Sequence, residues 1–418
     1  MSPIMDGLST IDELDVDGRR VLLRADFNVP LTSASAGASV TVADDARIRA
    51  ALPTIEELLR RGARLVLVSH LEPPTRHDPG MSMRPVAERL AKLTGATVPL
   101  APGVTGPEVR ELTDRLAPGS MLMLENVGFA AGETANDPRL AAALAELADL
   151  YVDDALASAD RAHASTEGVA HLLPCAAGRL MEREILALSA IVDRPARPLV
   201  AILGGARLGE QIGLVDRFLG LADMVCIGGA MCFPFLSVLG HRIGHSPCPA
   251  EDLKSARSAL ATAAQPGRLA LPSDLLLSRV GAQTDVEWSA MERLDVVDDQ
   301  VGFDIGPETA DRYADEIDAA ATVFWSGSMG RVELPSFAGG TRAIAEAVAS
   351  TSATTVVGDG KTAQALRAYG LQDRVSHVST GGGATLKFLE GHELPGLQAL
   401  RGVRRRRKDP SPDGAASP

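Results

Sequence analysis

The chain has 418 residues and a formal net charge of −13 at pH 7. This length exceeds what one hydrophobic core usually holds, so we expect two domains. The acidity argues against a nucleic-acid partner, because phosphate contacts need a broad basic surface. Four cysteines without CxxC or metal-ligand spacing, together with no signal-peptide pattern and no apolar span of 18 residues, predict a cytoplasmic protein with buried, reduced thiols and no membrane partner.

The first half of the chain alternates short apolar runs with helical patterns. The strand-like runs are 21–24, 64–69, 121–124 and 150–152. The helical patterns are 46–61, 85–93 and 138–148. Such alternation predicts a parallel sheet that is covered by helices on both faces.

A long amphipathic stretch at 178–193 separates this half from a second series of strand-like runs. That series comprises 199–203, 224–227, 269–271, 322–325 and 354–357. We therefore predict two α/β domains, 1–175 and 194–387, connected by a helix at 176–193. Residues 388–402 are expected to pack back on the first domain, and 403–418, which open with a basic run, to form a disordered tail.

Glycine-rich turns follow several of the apolar runs. Ser379–Lys387 (STGGGATLK) places three glycines before a helical pattern, and further turns occur at 204–207, 228–231 and 358–362. Glycine lets backbone N–H groups approach an anion closely, and a helix start adds its positive dipole end. Repeated at strand ends, such turns predict a nucleotide site at the carboxyl edge of a parallel sheet.

Blocks along nearly the whole chain resemble the phosphoglycerate kinase family. They include VLLRADFNVPL (21–31), LMLENVGF (122–129), GGARLGEQI (204–212), TVFWSGSMGRVE (322–333) and STGGGATLKFLEG (379–391). The resemblance implies two Rossmann-like domains with parallel sheets joined by a hinge helix. It also implies a monomeric glycolytic kinase whose first domain binds the acceptor, 3-phosphoglycerate in the family, and whose second binds ATP or ADP with Mg²⁺. The transfer product would be an acyl phosphate.

Individual roles carry over by resemblance to matching positions. Arg47 matches the catalytic arginine, and Arg207, Gly382 and Gly383 join it as catalytic candidates. Glu333 matches the carboxylate that accepts hydrogen bonds from the ribose. The substrate-binding positions are Asp26, Asn28, Arg47, His70, Arg161 and His163. The nucleotide-binding positions are Gly204, Arg207, Gln211, Gly228, Glu333, Asp359, Gly360, Lys361, Thr362 and Gly381.

The acceptor pocket departs from the family's pattern. Glu72 and Pro73 stand where the family has Gly and Arg, and Gly128 replaces a second Arg. Asp153 and Asp160 replace Asn and His. A phosphate ester needs bidentate cations, so a pocket with two guanidiniums fewer and three carboxylates more predicts a different acceptor.

The nucleotide half departs as well. Arg207 and Gln211 replace two lysines, and Lys361 replaces an Asp that resembles a Mg²⁺-bound position. A lysine cannot ligate a divalent cation, so this change weakens the metal site. Asp359 could ligate instead, or Lys361 could supply to the phosphates the charge that Gln211 lacks.

Three functions remain open at this point. The principal hypothesis is an ATP-dependent carboxylate kinase with another acid as acceptor, one bearing an ammonium group, which could act as an amide-forming ligase. The second is a glycolytic phosphoglycerate kinase in which Arg76 and Asp359 substitute for the missing groups. The third is a catalytically impaired pseudokinase, since losing several groups that act as a unit costs more than any single loss.

Overall fold

The computed structural model describes residues 7–32, 40–71, 79–263, 268–281, 289–291, 294–358 and 360–408. The chain divides into two compact units. One unit comprises Met1–Leu186 and Glu393–Pro418, and the other comprises Ala187–His392. Each is an α/β unit built on a parallel sheet, which confirms the predicted fold class.

Within its described residues, the first unit contains five strands and the early helices. The strands are β1 (Arg20–Arg24), β2 (Arg64–Val68), β3 (Met121–Met123), β4 (Leu150–Asp153) and β5 (Cys175–Ala177). The helices are α1 (Ala46–Arg60), α2 (Arg84–Thr94), α3 (Pro107–Asp114), α4 (Pro138–Ala145) and α5 (Arg179–Val192), which crosses into the second unit. The strands pair in parallel in the order β3-β2-β1-β4-β5.

The core of this unit lies between the sheet and the apolar faces of its helices. Val21 and Leu23 of β1 are fully buried, as expected for a parallel strand covered on both faces. On α1, Ile48, Ile55 and Leu58 recur at helical spacing and join the same cluster. This packing places the carboxyl end of β1 beside the first turn of α1, where the predicted acceptor residues lie.

The described residues of the second unit form two sheets. Its strands are β6 (Leu199–Leu203), β7 (Met224–Ile227), β8 (Leu269–Ala270), β9 (Leu275–Arg279), β10 (Ser289–Met291), β11 (Gln300–Ile305), β12 (Thr322–Ser326), β13 (Thr354–Val357) and β14 (His377–Val378). Six of them form a parallel sheet in the order β14-β13-β12-β6-β7-β8. The other three form an antiparallel sheet in the order β10-β9-β11, which the sequence did not predict.

The helices of the second unit follow its strands in turn. They are α6 (Ile212–Leu221), α7 (Phe233–Val238), α8 (Ala250–Thr262), α9 (Pro307–Asp318), α10 (Gly339–Ser350), α11 (Gly360–Ala368) and α12 (Gly383–Glu390). In the parallel sheet, β12 pairs with β6 so that Ser326 lies opposite Leu203 at the carboxyl ends of both strands. The turns that follow these two strands therefore meet at one edge.

The last helix of the described residues is α13 (Pro395–Lys408), which contacts residues 164–168 and β5 of the first unit. The helix continues through residues 403–408, which the sequence assigned to a disordered tail, while 409–418 lie outside the described residues. Cys175, Cys226 and Cys232 are buried and unpaired, as predicted.

Candidate active site

The carboxyl end of β1 holds an ion pair that joins two predicted acceptor residues. Asp26 lies two residues past the strand and is 7% exposed. Its Oδ2 accepts a hydrogen bond from Nη1 of Arg47 at 2.6 Å, and its Oδ1 accepts one from the backbone N–H of Asn28 at 3.0 Å. Asp26 therefore orients the Arg47 guanidinium and stabilises the turn at residues 26–28. The Arg47 side chain remains 37% exposed at the start of α1.

A buried arginine, Arg24, organises the polar groups around this strand end. It is 1% exposed and donates from Nε to Ser165 Oγ at 3.1 Å and from Nη2 to Ser158 Oγ at 3.1 Å. Nη2 also lies 3.0 Å from Nδ1 of His70. A guanidinium can only donate, so Nδ1 of His70 is the acceptor in this contact. The sequence shows Arg24 as a charged residue at the end of an apolar strand, but the sequence analysis did not identify it as a site residue.

A second buried carboxylate, Glu133, is linked to Arg24 through the hydroxyl of Ser165. It is 4% exposed, and Ser165 donates its backbone N–H and its hydroxyl to the two carboxylate oxygens at 3.1 Å and 2.6 Å. Nδ1 of His163 lies 3.8 Å from Oε1 of Glu133. Desolvation lowers the pKa of His163, and the cations Arg161 and Arg24 act in the same direction. The carboxylate of Glu133 acts in the opposite direction, but burial and the cations outweigh it, so the pKa of His163 lies below its ordinary value.

Arg24, Glu133 and the two histidines lie around one small cavity of about 80 Å³, whose lining does not include Asp26, Asn28 or Arg47. Three of the predicted acceptor residues, His70, Arg161 and His163, lie in its wall. The full lining is Arg24, His70, Val127, Gly128, Glu133, Thr134, Ser158, Arg161 and His163.

The carboxylates that the sequence placed in the acceptor pocket have other positions. Asp153 ends β4 directly opposite Arg24 of β1 and is fully buried. Burial raises the pKa of Asp153 to about 7. Asp160 lies 3.4 Å from Nε of its neighbour Arg161. Neither acid lines the cavity. The remaining pocket residues of that prediction, Glu72, Pro73 and Arg76, lie outside the described residues.

The second unit contains a larger cavity of about 820 Å³ at the carboxyl ends of its parallel strands. Glycine turns after β6, β7 and β12 contribute Gly205, Gly229 and Gly327 to its wall. All three have a positive φ, at 128°, 64° and 90°, a region that non-glycine residues rarely adopt. A side chain at Gly327 would also collide with backbone, since its Cβ would lie 2.0 Å from the carbonyl oxygen of Gly204. These turns leave bare backbone facing the cavity.

Several predicted nucleotide residues line this cavity, namely Gln211, Glu333, Gly360 and Lys361. The side-chain amide of Gln211 is bound to the glycine turn after β6, because its Nε2 donates to the carbonyl of Gly204 at 2.8 Å. Lys361 lies in the first turn of α11 and is exposed, so its charge meets the cavity.

Other predicted residues support the wall or lie away from it. Thr362 is fully buried, and its hydroxyl accepts from the backbone N–H of Gly327 at 2.8 Å. Gly204 and Gly228 immediately precede the turn residues Gly205 and Gly229 and are not part of the lining. Arg207 points to Glu251, with Nη2 3.5 Å from Oε1, and is not part of the lining.

The three glycines that follow β14 also lie outside this lining. Gly382 has a φ of 53° and caps the N-terminus of α12, which begins at Gly383. Ser379 accepts the backbone N–H of Gly381 at 3.1 Å on its hydroxyl. A helix thus begins at the triple-glycine turn, as predicted, but none of the three glycines lies in the cavity wall. Their nucleotide-binding and catalytic roles stay predictions.

The sequence did not single out Asp304, which lies in the cavity wall at the end of β11. Its Oδ2 accepts from the backbone N–H of Gly340 at 2.8 Å, and its Oδ1 accepts from that of Ile305 at 2.9 Å. Burial raises the pKa of Asp304 to about 7. Gly330 and Gly340 leave space for this carboxyl group, since a Cβ on either would lie within 2.4 Å of it.

A protein-built metal site does not fit the described residues. No group of three or more His, Cys, Asp or Glu side chains in the described part of the chain could hold a metal ion. Asp359, the ligand that the sequence suggested, lies outside that part.

Comparison with known proteins defines the family. The model of the phosphoglycerate kinase family matches residues 11–392. The phosphoglycerate kinase of Salinibacter ruber is 48% identical over 396 residues, covering 94% of this chain and 98% of that protein. The one from Rubrobacter xylanophilus is 46% identical, with 94% and 97% covered. The solved structure of phosphoglycerate kinase from Coxiella burnetii superimposes with a TM-score of 0.84 at 35% identity, covering 96% of this chain and all of the other.

The fold and the comparisons together define an α/β kinase with a parallel sheet in each unit. The chain is a member of the phosphoglycerate kinase family, a phosphotransferase with a carboxyl group as acceptor. Within the described residues, the helices are too short or too polar to cross a membrane.

Proposed function

We propose that the chain catalyses the reversible transfer of the γ-phosphoryl group of ATP to the carboxylate of 3-phosphoglycerate. The observation that carries this proposal is the pair of guanidiniums, Arg24 and Arg161, in the wall of the acceptor cavity, beside the imidazoles of His70 and His163. A small anionic acceptor suits such a lining. The relatives that are 46% and 48% identical over almost their whole length carry the name of this activity, which supports the same substrate.

The hypothesis of an ammonium-bearing acceptor loses its main support. It relied on three additional carboxylates in the pocket. Of these, Asp153 is buried behind the cavity wall and Asp160 neighbours a guanidinium, so neither is placed to pair with an ammonium group. The third, Glu72, lies outside the described residues. Glu133 does reach the wall, but both of its oxygens accept hydrogen bonds from Ser165. The comparisons likewise favour the glycolytic alternative over another acid or a ligase role.

The reaction needs neither a general acid nor a general base. A carboxylate is already ionised at neutral pH, so its oxygen can attack the γ-phosphorus while the bond to the β,γ-bridging oxygen breaks and ADP leaves. What remains is positioning and neutralisation of oxygen charge. In this proposal, Arg47 contacts the transferring group from the acceptor unit. On the nucleotide unit, Lys361 and the bare glycine turns face the phosphates, and Glu333 accepts from the ribose.

The nucleotide would bring Mg²⁺ as its counter-ion. The described residues offer no cluster for it, and Asp359, the candidate ligand from the sequence, lies outside them. The roles of the two units, acceptor binding in the first and nucleotide binding in the second, belong to the same proposal.

A coupled assay in both directions tests it, with 3-phosphoglycerate beside a panel of other carboxylic acids and hydroxylamine to trap any acyl phosphate. Turnover of 3-phosphoglycerate is the expected result. Arg47→Met should lower it by about 1,000-fold, because a cation on the transferring phosphoryl group contributes that much. Arg49→Met is the matched control, since Arg49 lies two residues along α1, is 55% exposed and pairs only with Asp45 among the described carboxylates.

Each other outcome contradicts the proposal in its own way. A hydroxamate formed only from another acid would establish a different acceptor. Silence with every acid would establish the pseudokinase. Equal activity of the Arg47→Met and Arg49→Met variants would remove Arg47 from the mechanism.

A further inference from the structure

The wall of the acceptor cavity contains a guanidinium whose orientation the protein fixes. Nη1 of Arg24 donates to the carbonyl oxygen of Ala25 at 2.5 Å. Its Nε donates to the hydroxyl of Ser165, and its Nη2 donates to the hydroxyl of Ser158 and to Nδ1 of His70. One contact from Nε, one from Nη1 and two from Nη2 use four of the five N–H groups that a guanidinium has. The plane of the Arg24 side chain is therefore set by its neighbours.

Ser165 connects this guanidinium to the carboxylate of Glu133. A serine hydroxyl has one proton to donate, and Ser165 donates it to Oε1 of Glu133 at 2.6 Å. Its oxygen therefore offers a lone pair to Arg24. The backbone of Ser165 is held as well, because its N–H donates to Oε2 of Glu133 at 3.1 Å and its carbonyl accepts the hydroxyl of Tyr151 at 2.9 Å. The hydrogen bonds run in one direction, from Arg24 through Ser165 to Glu133.

The contact between Arg24 and His70 decides where the imidazole carries its proton. A neutral imidazole has a proton on one nitrogen and a lone pair on the other. Because Nδ1 accepts from Nη2 of Arg24 at 3.0 Å, the proton of a neutral His70 lies on Nε2. A proton on Nδ1 would set two N–H groups against each other, so the contact also disfavours the imidazolium form. The other charged or titratable groups of this wall are Glu133, Arg161 and His163.

We propose that Arg24 is a positioning residue, which fixes His70 as its Nε2–H tautomer and so gives the cavity a neutral hydrogen-bond donor for an anionic group of the acceptor. This role rests on the proposed function, because the donor belongs to the same acceptor site. In the other tautomer, Nε2 would carry a lone pair, which repels the oxygen of an anion. Arg47 does not line this cavity, so the group held here is not the reacting carboxylate. Loss of the donor should therefore weaken acceptor binding more than it slows turnover.

NMR of the full chain, labelled with nitrogen-15 in its histidines, tests the tautomer directly. The chemical shift of each ring nitrogen reports whether it carries a proton, so the two neutral tautomers and the imidazolium give three different patterns. The His70 signals are those that disappear in His70→Ala. At pH 7 the unmodified protein should show a bare Nδ1 and a protonated Nε2. A proton on Nδ1, in the neutral or the charged ring, would overturn the proposal, and this spectrum decides the point even if variants of Arg24 do not fold.

The same spectrum shows whether Arg24 sets the tautomer. Arg24→Met removes the donor, and the His70 signals should then report a mixture of both tautomers. Arg20→Met is the matched control, because Arg20 begins the same strand, pairs with Asp149 at 2.9 Å and is not part of the cavity lining. It should leave the His70 pattern unchanged. A pure Nε2–H pattern in Arg24→Met would contradict the proposal.

A double-mutant cycle on the binding of 3-phosphoglycerate separates positioning from direct contact. Arg24→Met should weaken binding, measured by calorimetry, about tenfold, the size expected for one hydrogen bond to a charged group. In the His70→Ala background the same change should weaken it by less than about threefold, because the donor is already absent. In the Arg24→Met single variant, kcat should fall by less than about threefold.

The remaining outcomes are decisive as well. Equal weakening by Arg24→Met in both backgrounds would overturn the proposal, because Arg24 would then act on the acceptor without His70. If the unmodified chain neither binds nor turns over 3-phosphoglycerate, the proposed function fails and the role in acceptor binding fails with it. The NMR spectra distinguish that case, since they report the tautomer of His70 without any ligand.

Discussion

Asp153 is a carboxyl group without access to water, at the end of a central strand. Its Oδ1 accepts the backbone N–H of Ala155 at 3.0 Å. Its Oδ2 has no hydrogen-bond partner among the described atoms. Desolvation raises its pKa to about 7, although Arg24 acts in the opposite direction. The folded protein therefore holds a proton here that the unfolded chain releases at a much lower pH.

This proton predicts how stability changes with pH. Because the folded-state pKa lies above the unfolded value of 3.8, the Asp153 contribution to stability falls as the pH rises from about 4 to about 7. Asp153→Asn keeps the shape and the acceptor but has no charge to bury. It should be more stable than the unmodified chain by about 2 kcal/mol at pH 8, with a smaller difference at pH 5. Urea unfolding at both pH values measures this difference.

Asp149 supplies the contrast at the opposite end of the same strand. Burial pushes its pKa upward, but hydrogen bonds from the Arg20 side chain and backbone outweigh burial and lower the pKa of Asp149. Asp149→Asn should therefore destabilise the protein at pH 8, with the opposite sign to Asp153→Asn. If Asp153→Asn lowered stability at pH 8 as well, Asp153 would be an ionised partner of Arg24 rather than a buried acid.

At the scale of elements, the nucleotide cavity depends on how strand ends and helix starts are joined. The turn after β12 approaches the turn after β6 so closely that only glycine fits at Gly204 and Gly327. The start of α11 is attached to this arrangement by the Thr362 hydroxyl, which accepts the Gly327 N–H. One side chain thus connects α11, which carries Lys361, to the glycine turn of the neighbouring strand.

Removing that connection should loosen the turn. Thr362→Val leaves the buried N–H of Gly327 without its acceptor, which costs about 1–3 kcal/mol of stability. The same variant should weaken nucleotide binding, because Gly327 and Lys361 both line the cavity. Chemical unfolding and calorimetric titration with Mg-ADP measure the two effects. Thr362→Ser retains the hydroxyl and should recover most of both; a Val variant as stable as the Ser variant would contradict the structural role.

At the scale of the whole molecule, the chain consists of two units, and each contains one of the two cavities described above. The smaller, cationic cavity belongs to the unit that contains Met1–Leu186, and the larger, glycine-lined cavity belongs to Ala187–His392. In the proposed function, the first cavity binds the acceptor and the second binds the nucleotide. This assignment makes a prediction about where each ligand protects the backbone.

Hydrogen exchange measured by mass spectrometry should show separate protection in the two units. Mg-ADP alone should slow exchange in the segments after β6, β12 and β13, because ligands stabilise the regions that they contact. Addition of 3-phosphoglycerate alone should slow exchange around Asp26, His70 and residues 158–166. Glycerate, which lacks the phosphate, is the control and should protect less. Protection of the second unit by 3-phosphoglycerate would contradict the assignment.

Much of the fold could be predicted because buried parallel strands are short apolar runs with glycine turns at their ends. The strands β6, β7 and β13 begin and end at the predicted residues. The antiparallel sheet was missed, since a strand such as QVGFDI mixes polar and apolar residues without clear alternation. The sequence also identified residue types at both sites, including the Arg47 and Asp26 that pair in the structure.

The sequence by itself determined the family, the two parallel sheets and the chemical groups available for phosphoryl transfer. Burial, and therefore charge state, was decided only by the tertiary structure. Asp153 was interpreted as a pocket carboxylate because its type is visible in the sequence, yet packing places it behind the cavity wall with a raised pKa. Arg24 went unrecognised because its partners Ser158 and Ser165 lie more than 130 residues away. Solvation depends on neighbours in space, and the chain acquires those neighbours only when it folds.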